Sequence, residues 1–202
     1  MTRFDPLSGP ARETADSLGT LPSNLPRPED DGAADHLVGR GMSMARLRGT
    51  EGAAVELGEL PLGRSVIFVY PCTGRPARAM PAGWDDIPGA RGCTAELTGV
   101  SDAHDDLRRA GAAAVYGLST QDSAYQAEAA RRLRLTCPLL ADPTMRVGRD
   151  LDLPSFTADG ATFYRRITLM VQDGVIEHVF YPVFPPDTHV HEVVGWLQRR
   201  RR

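Results

Sequence analysis

The sequence predicts an α/β fold: a mixed central sheet with helices on both faces, preceded by an N-terminal extension. Three observations predict it. Runs 65–70 and 113–119 are almost wholly apolar, as expected of central strands whose two faces are both buried. Between and beyond them lie amphipathic stretches with apolar residues three and four apart, the spacing of one helix face. Finally, Asp173-Gly174 sits between two apolar runs, the sequence signal of a tight hairpin.

Residues 1–45 are set apart from the rest. Up to about Asp35 they are rich in proline, glycine and acidic residues, including Pro22, Pro26, Pro28 and the run Glu29-Asp30-Asp31, and read as an arm that is disordered or draped over the body. Residues 46–202 form the folded domain. A short strand is expected at 53–57 and a central strand at 65–70, ended by Pro71. An amphipathic helix follows over 93–110, with Leu97, Val100, Ala103 and Leu107 inward and Glu96, Asp102, Asp105 and Arg108 free to face water. A second buried strand occupies 113–119 and an alanine-rich helix 122–135. A third strand lies at 138–141, then a short helix at 145–151. Strands 167–171 and 175–181 pair across the Asp173-Gly174 turn. A helix over 190–200, with Asp187 and Thr188 as N-cap candidates, closes the chain on Val193, Val194, Trp196 and Leu197. The order strand, helix, strand, helix, strand, hairpin, helix is that of a thioredoxin-like fold.

Composition narrows the function. A net charge of -3 over 202 residues disfavours capture of nucleic acid. No run approaches the length of about 18 apolar residues that a membrane span needs. Three cysteines, Cys72, Cys93 and Cys137, are too sparse for a secreted disulfide framework, so a reducing, cytoplasmic setting is expected. Cys93 stands out among them. It follows Gly92 where the first helix begins, and unpaired N–H groups with the positive end of the helix dipole favour a thiolate accessible near neutral pH. The bland alternative is a cysteine packed as a small apolar residue.

Other constellations carry less. His189-Val-His191 opens a helix, where residues two apart diverge, and no carboxylate or cysteine cluster completes a metal site; no metal or cofactor is expected. His178 could act as a base toward Cys93 in an acyl-transfer or hydrolytic enzyme. Trp84 and the aromatics around Tyr181 and Phe184 could wall a cysteine pocket or anchor loops.

Five stretches, in this order, resemble the peroxiredoxins, most of all the Q-type branch also called bacterioferritin comigratory protein. They are Phe68-Val-Tyr-Pro71, Gly92-Cys-Thr-Ala-Glu96, Gly117-Leu-Ser119, Pro138-Leu-Leu-Ala-Asp-Pro143, and Arg166-Ile-Thr-Leu-Met-Val171 ahead of Asp173-Gly174. The resemblance implies a thiol-dependent peroxidase in which Cys93 is the peroxidatic cysteine and Arg166 the active-site arginine. Its partners would be a hydroperoxide substrate and a thiol reductant, thioredoxin or a low-molecular-weight thiol, with a homodimer left open. That chemistry suits the residues. A thiolate attacking one peroxide oxygen expels the other with negative charge, which an arginine can meet; Arg165, facing the opposite way, suits a strand-end salt bridge.

The chain departs from the family pattern twice. Ala90 stands three residues before the cysteine, where the family usually has a threonine, and an insertion of 72–91 separates Pro71 from Cys93. Thr73 is the candidate to supply the missing hydroxyl if the insertion loops out and returns. Thr98 occupies the place of the resolving cysteine that Q-type members often carry. A one-cysteine cycle is therefore the working expectation, with Cys72 the candidate resolving thiol and Cys137 a packed core residue. Two other readings stay open: another Cys93-based enzyme acting by acyl transfer or hydrolysis, and a redox-sensing interaction protein.

Overall fold

The computed structural model describes Leu21, residues 24–76 and residues 78–200. The arm's first 20 residues lie outside the described residues, as does the end of the arginine tail. A seven-stranded sheet runs β2-β1-β5-β4-β3-β8-β9, formed by β1 (Arg46–Gly49), β2 (Ala54–Glu56), β3 (Arg64–Val69), β4 (Ala112–Ser119), β5 (Leu139–Ala141), β8 (Ile167–Gln172) and β9 (Val175–Phe180). β3, β4 and β5 are parallel, while β8 lies antiparallel to β3 and β1 antiparallel to β5. The mixed sheet is as the sequence predicts.

Helices cover both faces. On one side Val66, Phe68, Val115 and Met170 pack against α1 (Cys93–Asp102), α2 (His104–Ala110) and α5 (His189–Arg199) through Leu97, Leu107, Val193 and Trp196. On the other, Ile67, Val69, Leu118 and Leu169 meet Val147 and Leu151 of α4 (Arg146–Leu151). Leu37 and Met42 join that second core, so the described part of the N-terminal extension wraps the body and contributes to its interior. The side chain of Asp122 caps α3 (Ser123–Leu133) by accepting from the Tyr125 N–H at 2.8 Å. The β8–β9 turn has Asp173 and Gly174 at φ 48° and 82°, the left-handed pair that a two-residue hairpin requires.

Four features differ from the sequence reading, the first being β1 (Arg46–Gly49), a strand it does not foresee. The helix expected over 93–110 breaks at Ala103 into α1 and α2. Thr136 explains the break, because its hydroxyl donates to the Ser101 carbonyl at 3.2 Å and its N–H to the Ser101 hydroxyl at 2.9 Å, drawing a ladder acceptor outward. Thr188 takes the N-cap position of α5, but its side chain makes no cap bond. An unforeseen hairpin, β6 (Ser155–Ala158) with β7 (Ala161–Tyr164), turns on Asp159-Gly160 and lies outside the main sheet.

That hairpin positions the insertion. Trp84 packs against Phe163 at 5.0 Å and Phe156 at 5.7 Å between ring centroids, and it is only 3% exposed. An aromatic anchor of this size burying its surface on a hairpin turns the 72–91 loop back toward the end of β3. The loop therefore begins and ends near the carboxyl end of β3, where the Cys72 N–H meets Cys93.

Candidate active site

Cys93 is the first residue of α1, and Gly92 before it adopts φ 103°. No other residue fits there. A Cβ on Gly92 would fall 2.5 Å from Pro186 Cγ and 2.9 Å from Leu21 Cδ2. Gly92→Ala is expected to destabilise the protein by roughly 1–3 kcal/mol, through left-handed backbone strain plus the clash with a rigid proline ring. Gly83→Ala, at φ 70° but with open space around its Cβ, is the control. Urea unfolding should show the larger loss at Gly92; equal losses would mean that the proline contact costs nothing.

Arg166 comes to the same point from the link between β7 and β8. Alternation splits it from its neighbour: Arg165 faces out to Asp31 at 3.7 Å, and Arg166 faces in, 3% exposed. Its Nη2 donates to Cys93 Sγ at 3.1 Å and to the carbonyls of Arg91 at 3.0 Å and Gly89 at 3.3 Å. Its Nη1 donates to Glu96 Oε2. A second donor reaches the sulfur, the backbone N–H of Cys72 at 3.4 Å. The Ala90 carbonyl lies 3.5 Å from Sγ, at the position whose side chain is a threonine hydroxyl in the family pattern. Two donors thus converge on one sulfur.

Glu96 is the site residue that sequence reasoning missed. Periodicity places it among residues free to face water, yet it is 2% exposed, one turn along α1 from Cys93 and paired with Arg166. Its Oε1 has no hydrogen-bond partner among the described residues, and burial pushes its carboxyl up to about 7 against the pull of Arg166. The only advance signal is its place in the Gly92-Cys-Thr-Ala-Glu96 motif. Thr94, also buried, lines the space over the sulfur and is likewise visible only as part of that motif.

The thiol itself departs from expectation. The sequence placement predicts a thiolate accessible near neutral pH, but Cys93 is only 2% exposed and burial pushes its pKa up. The Arg166 charge opposes that rise, the Glu96 carboxylate adds to it, and the Cys72 N–H lowers it again. The surroundings of the sulfur are thus burial and fixed donors and not an exposed helix end.

The insertion does loop out and return, yet Thr73 is not delivered to the sulfur. Its hydroxyl donates to Gln121 Oε1 at 3.0 Å, and its N–H goes to the same oxygen at 2.9 Å. The neighbouring Cys72 arrives instead. Cys72 and Cys93 line one chamber with Met80, Trp84 and Thr94, a cavity of about 10 Å³ that holds roughly one water-sized molecule. Cys137 lies in the core, 2% exposed, as expected of a packed residue.

The histidines are engaged elsewhere. His178 stacks on Trp196 with ring centroids 5.1 Å apart, and no hydrogen bond joins it to Cys93 among the described residues. His189 Nε2 bonds the Thr168 hydroxyl at 2.9 Å, and burial lowers its pKa to about 4.

Comparison with known proteins bears on the family and the fold that carry this arrangement. Residues 37–196 match the Redoxin family model. The chain is 26% identical over 152 residues to peroxiredoxin Q, chloroplastic, of Oryza sativa subsp. japonica, a match covering 75% of this chain and 62% of that protein. It thus spans about three fifths of the length of that relative. It is 25% identical over 186 residues to peroxiredoxin Q, chloroplastic, of Gentiana triflora, covering 90% of this chain and 78% of the relative. Among solved structures, peroxidoxin BcpB from Mycobacterium tuberculosis superposes with a TM-score of 0.63 at 24% identity, over 82% of this chain and 97% of the other. A cysteine-to-serine mutant of PrxQ from Xylella fastidiosa gives a TM-score of 0.64 at 16% identity, over 82% of this chain and 97% of the other. These likenesses establish the thioredoxin-like fold of the peroxiredoxins. Because the family match spans both cysteines of the chamber, the arginine and the sheet that carries them, the chain belongs to the redoxin family.

Proposed function

We propose that the protein is a thiol-dependent peroxidase that reduces hydrogen peroxide or alkyl hydroperoxides through a sulfenic acid on Cys93. The observation that carries this reading is the pair of donors on one buried sulfur, Arg166 Nη2 at 3.1 Å and the Cys72 N–H at 3.4 Å, beside a chamber with room for a very small molecule. Those donors hold the thiolate and stand beside the place where charge develops. As Sγ bonds one peroxide oxygen, the oxygen–oxygen bond breaks, and the second oxygen leaves as hydroxide or alkoxide near the guanidinium. Arg166 is positively charged before, during and after the step, so little reorganisation is needed. The size of the chamber favours hydrogen peroxide over bulkier hydroperoxides.

Regeneration follows an atypical route. Thr98 removes the intrahelical thiol, so electrons come from an external thiol acting on Cys93 directly, in a one-cysteine cycle, or through another cysteine of the chain. The reductant is a low-molecular-weight thiol or a thioredoxin-like protein. A cytoplasmic setting agrees with the sparse, odd set of cysteines.

The test is to add one equivalent of hydrogen peroxide in the presence of a diketone that traps sulfenic acid, and then to follow continuous peroxide consumption with a thiol donor. A diketone adduct confined to Cys93, together with many turnovers, is the expected result. No adduct and no consumption would refute the peroxidase reading. Rapid single oxidation without turnover would replace it with a redox-sensing role.

A further inference from the structure

Cys72 stands between two cavities. On one side is the 10 Å³ chamber that it shares with Cys93. On the other is a surface cavity of 540 Å³, lined by Cys72 with Arg75, Arg78, Gln121, Tyr125 and Phe163. Of these two spaces, Cys93 lines only the first. The peroxide-facing sulfur is therefore closed off, whereas Cys72 is partly exposed and touches both spaces.

The local geometry suits exchange between the two sulfurs. The Cys72 N–H already donates to Cys93 Sγ at 3.4 Å, so the residues meet without any loop having to unfold. Cys72 Sγ is held toward the outer side by Gln121 Nε2 at 3.2 Å and by the Thr73 carbonyl at 3.3 Å. Rotation about χ1 is the movement that would carry it from those partners toward Cys93. Gln121 is fixed in turn, since its Oε1 accepts from both the N–H and the hydroxyl of Thr73. Thr73 thus acts in shaping the seat of Cys72, and not as a donor to the peroxide. Cys137 lines neither cavity.

We propose that Cys72 is the resolving thiol and the exit point for oxidation: it condenses with the Cys93 sulfenic acid, and a low-molecular-weight thiol seated in the outer cavity then reopens the disulfide by attacking Cys72. This rests on the peroxidase reading above. In the first step Cys72 sulfur attacks Cys93 sulfur, an S–S bond forms, the S–O bond breaks, and the hydroxyl leaves with the Cys72 proton as water. The external thiolate next attacks Cys72, the only one of the two residues that reaches the outer cavity. Cys93 leaves as a thiolate into the donors already arranged for it, Arg166 and the Cys72 N–H, which makes it the better leaving group. A second molecule of thiol reduces the mixed disulfide on Cys72 and departs as the oxidised dimer. Each peroxide consumes two external thiols. The cavity's volume lies in the range usual for small-molecule sites, about 300–1,000 Å³, which points to a small thiol and not to a flat protein surface.

The experiment is an intact-mass and peptide-mapping series on wild type, Cys72→Ser and Cys137→Ser after one equivalent of hydrogen peroxide. Wild type and Cys137→Ser should each lose two hydrogens and yield a Cys72–Cys93 linked peptide, while Cys72→Ser should accumulate a trappable sulfenic acid on Cys93. Wild type retaining the sulfenic acid with no linked peptide would overturn the proposal and leave the peroxidase reading standing; absence of any oxidation at Cys93 in Cys72→Ser, with none in wild type, would remove both. Oxidised wild type quenched with acid during reduction by 2-mercaptoethanol should carry the mixed disulfide on Cys72. Finding it on Cys93 would overturn the exit route.

Discussion

Arg166→Met is expected to lower the second-order rate with hydrogen peroxide by about 10²–10³-fold, the usual effect of deleting a donor aimed at developing charge in a buried site. The same change should destabilise the fold by about 3–5 kcal/mol, because Glu96 would be left as a buried carboxylate with no counter-charge. The two effects are separable. Arg166 meets the sulfur through Nη2 and the carboxylate through Nη1, so one side chain makes two separate contacts, one with the proposed nucleophile and one with a buried carboxyl. Adding Glu96→Gln to Arg166→Met removes the orphaned charge and should recover much of the stability while leaving the rate low. Stopped-flow oxidation and urea unfolding on the two variants measure each half. If the double variant recovered rate in step with stability, Arg166 would be a scaffold and the chemistry would belong to the backbone N–H of Cys72 alone. If the single variant unfolded no more easily than wild type, Glu96 would already be protonated under the conditions used, and raising the pH should then expose the loss.

The parts of this site that can be read in advance follow from local rules, and the parts that cannot follow from long-range contacts. Burial on both faces writes itself into residues 65–70 as an unbroken apolar run, and Asp173-Gly174 dictates its own backbone angles, so β3 and the β8–β9 hairpin are legible. Cys93 at a helix start and Arg166 opposite Arg165 are legible for the same reason, since position within an element sets the direction of a side chain. Asp159-Gly160 offers the same turn signal as Asp173-Gly174, but Ser155, Thr157 and Thr162 dilute the apolar pattern around it and conceal β6–β7. Without that hairpin the anchor for Trp84 is hidden too, and with it the path of the insertion. Helix periodicity assigns Glu96 to the solvent because its partner comes from the link before β8, 70 residues away along the chain. Thr73 and Cys72 are adjacent, and Gln121, just after β4, engages both side chains, so that the backbone N–H of Cys72 and not the Thr73 hydroxyl reaches the sulfur.

Glu96→Gln is expected to change when the sulfur becomes charged. In the wild type three groups share one buried space: the thiol, the guanidinium and the carboxyl. Burial raises the pKa of Cys93, Arg166 lowers it, and an ionised Glu96 raises it again through the repulsion of like charges. Glutamine keeps an oxygen for Arg166 Nη1 and removes the repelling charge. The variant should therefore form its thiolate more readily above about pH 7, where wild-type Glu96 is ionised, so alkylation of Cys93 by iodoacetamide at mildly alkaline pH should be several-fold faster than in wild type, and the two should converge at lower pH. Stability gives the second readout, with a sign fixed by linkage. The Glu96 carboxyl titrates at about 7 when folded, against an ordinary value of 4.5, so the folded state binds the proton more tightly than the unfolded chain. Its contribution is fully present below the unfolded value and is lost as pH rises through the folded one. Wild type should lose stability between about pH 4.5 and 7 from this group, and Glu96→Gln should lose that part of the slope. An alkylation profile that does not move would show that Glu96 leaves the charge on Cys93 unaffected and serves only to hold Arg166. A profile that moves to lower pH together with a flattened stability curve would identify one buried carboxyl as the group that sets both the protonation of the nucleophile and part of the acid–base response of the fold.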